Sequence, residues 1–449
     1  MKLKTLAIAV LLMPAISTMA QTSGRKWTLN DCINYAISNN ITLQKSRLTK
    51  QSAQEDVLQA KSSLLPSLSA STNQSVGYRP WINSGMATVS NGTVANKVSK
   101  TYYNGSYSVG ANWTVWNGNK NRNTVKYNEL KAQKAELDSA TTANQLKEQI
   151  AQLYVQILYM TEAIEVNKQS HATSVKNEER GKEMVSVGKM SKADLAQLTA
   201  KTAEEEYNIV NSETQLANYK LQLKQLLEID GNEDFDVYVP STTDEQALGQ
   251  IPALQSTYET ALAQRPEIAA SQLAIKSGDV NIAIAKAGKA PTIGLNASVG
   301  TSTTSMNSFS WGKQLKTNFD GMAGVSVSIP LFDNRQTKTA VNKAVIQREE
   351  AMLTLRDNQK KLYSSIEGYW LDANSNQQKF KAAKASTESE QASYDLLSEQ
   401  FNLGLKNIVE LMTGKTNLLN AQQNRLQSKY MTILNIQMLK FYNGEDINL

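Results

Sequence analysis

The side chains that carry most nucleophilic, metal-binding and near-neutral acid–base chemistry are almost missing from this chain. It holds one histidine, His171, and one cysteine, Cys32. Single copies exclude an internal disulfide and a His/Cys metal cluster, and they leave a Cys/His nucleophile pair or a Ser-His-Asp triad without support. Cys32 falls within the amphipathic series Leu29, Ile33, Ala36 and Ile37, where a small buried thiol fits. His171 sits in a polar helical stretch without an evident partner. Carboxylates are frequent, but Glu178–Glu179 and the run Glu204, Glu205, Glu206 have nothing beside them to set up acid–base work, and they read as solvated charges. No catalytic residue, metal site or cofactor is expected.

The elements that carry these residues have an unusual composition. The 449 residues average a hydropathy of −0.42, and after residue 20 no run approaches the roughly 20 continuous apolar residues that a spanning helix requires. A helical membrane bundle is excluded. The formal charge of +6 is spread along the chain, too thinly to argue for nucleic acid. Residues 1–20 read as an export signal. Lys2 and Lys4 open it, Leu6 to Met13 form its apolar core, and Thr18 and Ala20 stand where a signal peptidase reads small residues. Cleavage is expected after Ala20.

The chain is a tandem duplication. Residues 29–71 match 254–296 at a shift of 225, pairing Leu29 with Leu254, Ala36 with Ala261 and Pro66 with Pro291. Residues 107–226 match 323–442 at a shift of 216, pairing Tyr154 with Trp370 and Gly188 with Gly404. The change of shift puts about nine extra residues in the first copy, within the Gly/Asn/Ser/Thr-rich stretch 77–105, as a tolerated surface-loop insertion would. The copies occupy residues 21–227 and 254–449. Between them, residues 228–253 hold seven acidic residues and no Lys or Arg, and they read as a solvated connector with a strand-like piece at 235–239.

Each copy runs helix, strand, loop, strand, very long helix, tight turn, long helix. In 106–116 the residues Tyr107, Val109, Ala111, Trp113 and Val115 alternate with small or polar ones, and the second copy keeps the phase with Ala323, Val325, Val327, Ile329 and Leu331. Shorter alternations follow Pro66 and Pro291. A segment of about ten residues with one apolar and one small polar face suits an outer-membrane barrel strand. Half-buried strands of soluble sandwiches alternate too, so the weight comes from four such segments behind an export signal. Tyr107, Trp113 and Trp116 fit an aromatic belt at the membrane interface. Four strands cannot close a barrel, and an open edge is not tolerated in lipid. Several chains must share one barrel, two giving eight strands and three giving twelve.

Residues 119–187 and 335–403 contain no proline and are rich in Gln, Lys, Glu, Ala and Leu. Each is predicted to be a single helix of roughly 100 Å at the α-helical rise. Leu146, Ile150, Leu153, Ile157 and Ile164 form a coiled-coil stripe. Gly188 and Gly404 follow the long helices, where a left-handed cap would start an antiparallel return.

At this point the sequence resembles the TolC-like outer-membrane efflux factors, over nearly the whole mature chain. The resemblance rests on the L-x6-A opening of each copy, the Arg265-Pro266-Glu267 break, Leu65-Pro66 and Ala290-Pro291 before the strands, and the tip segments. These run from Phe401 through Gly404, Lys406 and Glu410 to Leu411, and from Val187-Gly188 through Asp194-Leu195. It implies an α+β membrane protein: a homotrimeric twelve-stranded outer-membrane β-barrel, four strands per chain, continued by a long periplasmic α-helical barrel. It also implies a periplasmic adaptor (membrane fusion) protein and an inner-membrane pump of the RND or ABC type as partners. The implied function is export of small molecules, with type I protein secretion as an alternative on the same architecture. From a different class, a soluble periplasmic coiled-coil scaffold stays open at this stage.

The family's gate is carried over residue by residue. An acid after the first tip and a base after the second link the hairpins, and the matching positions are Asp194 and Lys406. Glu410 matches one acid of a cation-selecting ring, whereas the next expected acid is Thr413. Phe401 stands where a tyrosine can occur. The turns Gly188, Lys189, Met190 and Gly404, Leu405 are the implied adaptor-docking tips. Tyr107, Val109, Trp113, Val115, Val325, Val327 and Ile329 are the expected lipid-facing residues. As ordinary solvated charges, Asp194, Lys406 and Glu410 would contribute about 0–1 kcal/mol per pair.

Overall fold

The computed structural model describes residues 26–81, 85–89, 92–96, 99–231, 235–240 and 242–448. The expected export signal lies outside them. Strand β1 (Lys26–Trp27) leads into α1 (Leu29–Asn39), which Thr28 and Asp31 start as a capping box. Asn40 caps α2 (Ile41–Ser62). Then come β2 (Ser67–Tyr78), a hairpin of β3 (Gly85–Val89) and β4 (Gly92–Asn96), β5 (Thr101–Trp116), α3 (Lys120–Ser186) and α4 (Lys192–Leu226). The segment between the copies holds β6 (Asp236–Val237) and α5 (Asp244–Ala247). The second copy comprises α6 (Leu254–Gln264), α7 (Pro266–Lys286), β7 (Thr292–Thr304), α8 (Trp311–Thr317), β8 (Asp320–Ser328), α9 (Gln336–Asn402) and α10 (Ile408–Tyr442).

The duplication is visible element by element. Helices α3 and α9 have 67 residues each, and α4 and α10 have 35 each. Even the turns from strand to long helix agree. Gly118 and Asn119 have φ of 64° and 63°, and Asn334 and Arg335 have 49° and 67°. A left-handed non-glycine residue costs about 1–2 kcal/mol. Here the side chains of Asn117 and Asp333 hold the turns, accepting from the amides of Asn121 and Thr337.

One antiparallel sheet in the order β2-β5-β7-β8 joins the copies. Its register carries the sequence alternation across all four strands. Leu68 lies opposite Ala111, Val109 opposite Val299, Trp113 opposite Leu295, and Leu295 opposite Val325. One face is therefore apolar over the half of the sheet nearer the long helices, and Thr72, Gln74, Thr301 and Thr303 continue the same face further out. The other presents Ser71, Ser108, Asn112, Ser298, Asn296 and Ser326, with Ser71 and Ser108 hydroxyls 2.8 Å apart. Tyr107, Val109, Trp113, Val325 and Val327 share the apolar face. Two expected residues differ. The register shifts between Thr114 and Trp116, so Val115 is the extra residue of a bulge and Trp116 takes the place opposite Ile293. Ile329 lies just beyond β8. The stretch expected to be loop contributes the outer part of β2 and residues 101–105 of β5, with the β3–β4 hairpin between them.

The helices pack around mid-length. Leu29, Cys32, Ile33 and Ala36 of α1 are buried against Ile150, Tyr154 and Leu158 of α3 and Leu434 and Met438 of α10. In α9 the buried residues Ile366, Ala373, Phe380, Thr387, Tyr394 and Phe401 recur every seven positions, which is the seam of a coiled coil. Arg265 ends α6 ahead of Pro266 and bonds Glu148 at 2.7 Å and Glu267 at 3.0 Å beneath the Tyr442 ring. The connector is docked rather than solvated. Strand β6 pairs with β1, the Tyr154 hydroxyl donates to the Tyr238 carbonyl, and Asp244 bonds both Lys384 and Arg425.

Candidate gate at the helical tips

Both tips are built by the same backbone chemistry. At the first, Gly188 has φ 75°, its amide bonds the Val185 carbonyl, and the Lys189 amide bonds the Met184 carbonyl. At the second, Gly404 has φ 74°, its amide bonds Phe401, and the Leu405 amide bonds Gln400. This pair of bonds is the Schellman cap, which satisfies the last carbonyls of a helix and needs a left-handed residue. Open space surrounds both glycines. Val187, Leu403 and Leu405 beside them are 66, 75 and 71% exposed, an apolar surface at the very end of the molecule.

The return helices start alike. Ser191 caps α4 by accepting from the Asp194 amide at 3.0 Å, and its hydroxyl donates to the Asp194 carboxylate at 2.8 Å. Asn407 caps α10 by accepting from the Glu410 amide at 2.9 Å. Asp194 and Glu410 are thus equivalent third residues of equivalent helices, where a carboxylate complements the helix dipole. Lys406, in the turn just ahead of α10, is bonded to Glu410 in the first turn of that helix. No bond joins Lys406 to Asp194 within one chain, so the expected link between hairpins is not made there.

Near the tips the hairpins are held together by apolar packing and a buried ion pair. Phe401 is buried with Leu198 of the first hairpin and Ile408, Leu411 and Leu418 of the second, and Met190 packs against them. Further from the tip, Lys415 Nζ lies 2.9 Å from Glu205 Oε2 and 2.6 Å from the Ser170 carbonyl, and it also donates to Ser174 Oγ. Lys415 and Glu205 are 5 and 3% exposed. Burial holds the Lys415 ammonium below the usual lysine range, opposed by its bond to Glu205. Glu205 is therefore not one of the solvated charges that its neighbours suggested. The missed signal is a lysine on the apolar stripe Ile408, Leu411, Lys415, Leu418, and a glutamate seven residues after Leu198.

A family model for outer membrane efflux proteins matches two stretches, residues 32–228 and 257–445, one in each copy. The chain belongs to the outer membrane efflux protein family. Its relatives include the outer membrane efflux protein BepC of Brucella suis, 22% identical over 411 residues that cover 91% of this chain and 83% of BepC. Toxin and drug export protein A of Aggregatibacter actinomycetemcomitans is also 22% identical, covering 90% of this chain and 83% of its own. The outer membrane protein VceC of Vibrio cholerae shares the fold, with a TM-score of 0.77 at 16% identity over 94% of this chain and 97% of VceC. This outer membrane efflux protein is a channel component of the outer membrane with a helical extension into the periplasm. That assignment displaces the soluble scaffold.

Proposed function

We propose that three copies of this chain close one twelve-stranded barrel and one helical tunnel. Copies at residues 21–227 and 254–449 supply two strands and one helical hairpin each, and the docked segment 228–253 sits at mid-length. The supporting observation is the sheet itself. Among the described residues β2 and β8 have one strand partner apiece, and the outer edge of each must be paired before its apolar face can enter lipid. Twelve strands leave room for an aqueous lumen, whereas eight are largely filled by side chains.

Solutes then cross through a passage lined by Ser, Thr, Asn and Gln without chemical change, and a partner pump of the RND or ABC type supplies the energy. The tips at Gly188, Lys189, Met190, Gly404 and Leu405 dock a periplasmic adaptor. Asp194 and Lys406 act between neighbouring chains rather than within one, and Glu410 sets the charge at the tunnel mouth. The relative that exports a toxin as well as drugs keeps protein cargo as a second reading of the same tunnel. Insertion of the detergent-purified protein into a planar bilayer tests the function. Discrete conductance steps are expected, and a silent bilayer with protein demonstrably inserted contradicts it.

A further inference from the structure

At the end of the sheet away from the long helices, α8 is fastened to the apolar side. The Thr301 hydroxyl, on the same face as Val299, donates to the Leu315 carbonyl at 2.7 Å. Buried Gln314 accepts from the Thr304 amide and donates to the Phe309 carbonyl, both at 2.7 Å. The Asn318 side-chain Nδ2 donates to the Ser302 carbonyl, and the Trp311 ring meets Tyr107 edge to face at 6.4 Å between centroids. A seven-residue helix held with its flank by four contacts to the sheet is positioned, not trailing.

Its free surface has two characters. Phe309, Trp311 and Phe319 are 42, 56 and 64% exposed, an arrangement that costs free energy in water. Lys313 and Lys316 stand exposed beside them, with Lys313 Nζ 3.9 Å from the Phe309 ring centroid. Residues 57–128 and 280–319 contain no Asp or Glu, so among the described residues Arg79, Lys100, Lys313 and Lys316 meet a single acid, Asp320, at this end. Aromatic rings with basic side chains, adjoining an apolar band, are what the headgroup layer of an anionic membrane accommodates.

We propose that α8 and its flanks, residues 305–319, form an interfacial anchor. Phe309, Trp311 and Phe319 lie at the boundary of the acyl chains, and Lys313 and Lys316 bind phosphate groups of the surrounding lipid. The anchor rests on the lipid-facing barrel proposed above. It fixes the height of the barrel in the membrane and selects anionic lipid around it.

The test uses the full-length protein in phosphatidylcholine vesicles with or without phosphatidylglycerol. Fluorophores are attached at Gly312→Cys, where a Cβ meets open space, and separately at Val325→Cys on the apolar face. The Val325→Cys label should be quenched by lipid carrying a mid-chain nitroxide, and the Gly312→Cys label by lipid carrying a headgroup nitroxide. Headgroup-labelled phosphatidylglycerol should quench Gly312→Cys more strongly than labelled phosphatidylcholine. Lys313→Gln and Lys316→Gln should each lower that preference about fivefold at low salt. Quenching at Val325→Cys with none at Gly312→Cys would place α8 in water or against a neighbouring subunit, overturning the anchor and leaving the barrel. No quenching at either would overturn the barrel reading and the anchor with it. Equal quenching by the two lipids, or a preference indifferent to both lysine changes, would overturn phosphate binding.

Discussion

Lys415 of α10 and Glu205 of α4 form an ion pair at 2.9 Å that joins the two helical hairpins of one chain in a buried setting. Removing one partner leaves the other charge desolvated, which costs about 3–5 kcal/mol, while replacing both by apolar residues of similar size is often neutral. Glu205→Leu and Lys415→Met should each lower the melting temperature of the detergent-solubilised protein and hasten proteolysis of the tip. The double variant should recover most of the loss. Independent, additive losses would mean that the pair does not act as a unit.

The tip glycines carry a conformational requirement alone, since nothing crowds them. Gly188→Ala and Gly404→Ala should each cost about 1–2 kcal/mol by forcing a Cβ into the left-handed region. The same changes should weaken adaptor binding in a solution titration. Full affinity in a variant whose tip is measurably destabilised would move the docking surface away from the turns.

Asp194 and Lys406 are proposed to act across the chain boundary. Asp194→Asn and Lys406→Ala should each raise single-channel conductance, and the asparagine keeps a side-chain acceptor beside Ser191. Glu410→Gln should shift the reversal potential towards lower cation selectivity. Unchanged traces in all three would return these charges to helix capping and the local Lys406–Glu410 pair.

The buried acids give stability an alkaline limit. Burial pushes the Cys32 thiol from 9.0 up to about 12 and raises the Tyr154, Tyr430 and Tyr442 phenols above their usual value of 10.0. Between 9.0 and about 12 the unfolded chain gives up the Cys32 proton while the folded chain keeps it. Stability therefore falls as the pH rises through that window, by up to about 1.4 kcal/mol per pH unit for each such group. Lys415 has the opposite sign. Its folded value is lowered, so its contribution improves with pH up to 10.5. Four groups outweigh one, and the melting temperature should drop steeply above about pH 10. Cys32 should stay unreactive towards thiol reagents until that transition.

The long helices and the paired strands were legible because their signals are local. An absence of proline, a seven-residue stripe and a constant shift of 216 are enough to identify α3 with α9 and α4 with α10 as equivalent helices of the two copies. The outer parts of the strands were not legible. Asn104 and Gly105 carry no apolar alternation, yet ladder hydrogen bonds to Gln74 and Thr303 continue past it. The bulge at Val115 reverses the facing of one residue without a mark in the alternation. Glu205 and Lys415 are 210 positions apart, so each reads as a surface charge until the fold brings it to its partner. The connector is similar, for Asp244 and Asp236 meet their lysine and arginine partners only in three dimensions.

The central claim is that one chain supplies a third of a closed barrel. Native mass spectrometry of the detergent-solubilised protein measures this directly. Three chains per particle are predicted, and a stable particle of one or two chains that still conducts in a bilayer would contradict the shared twelve-stranded barrel.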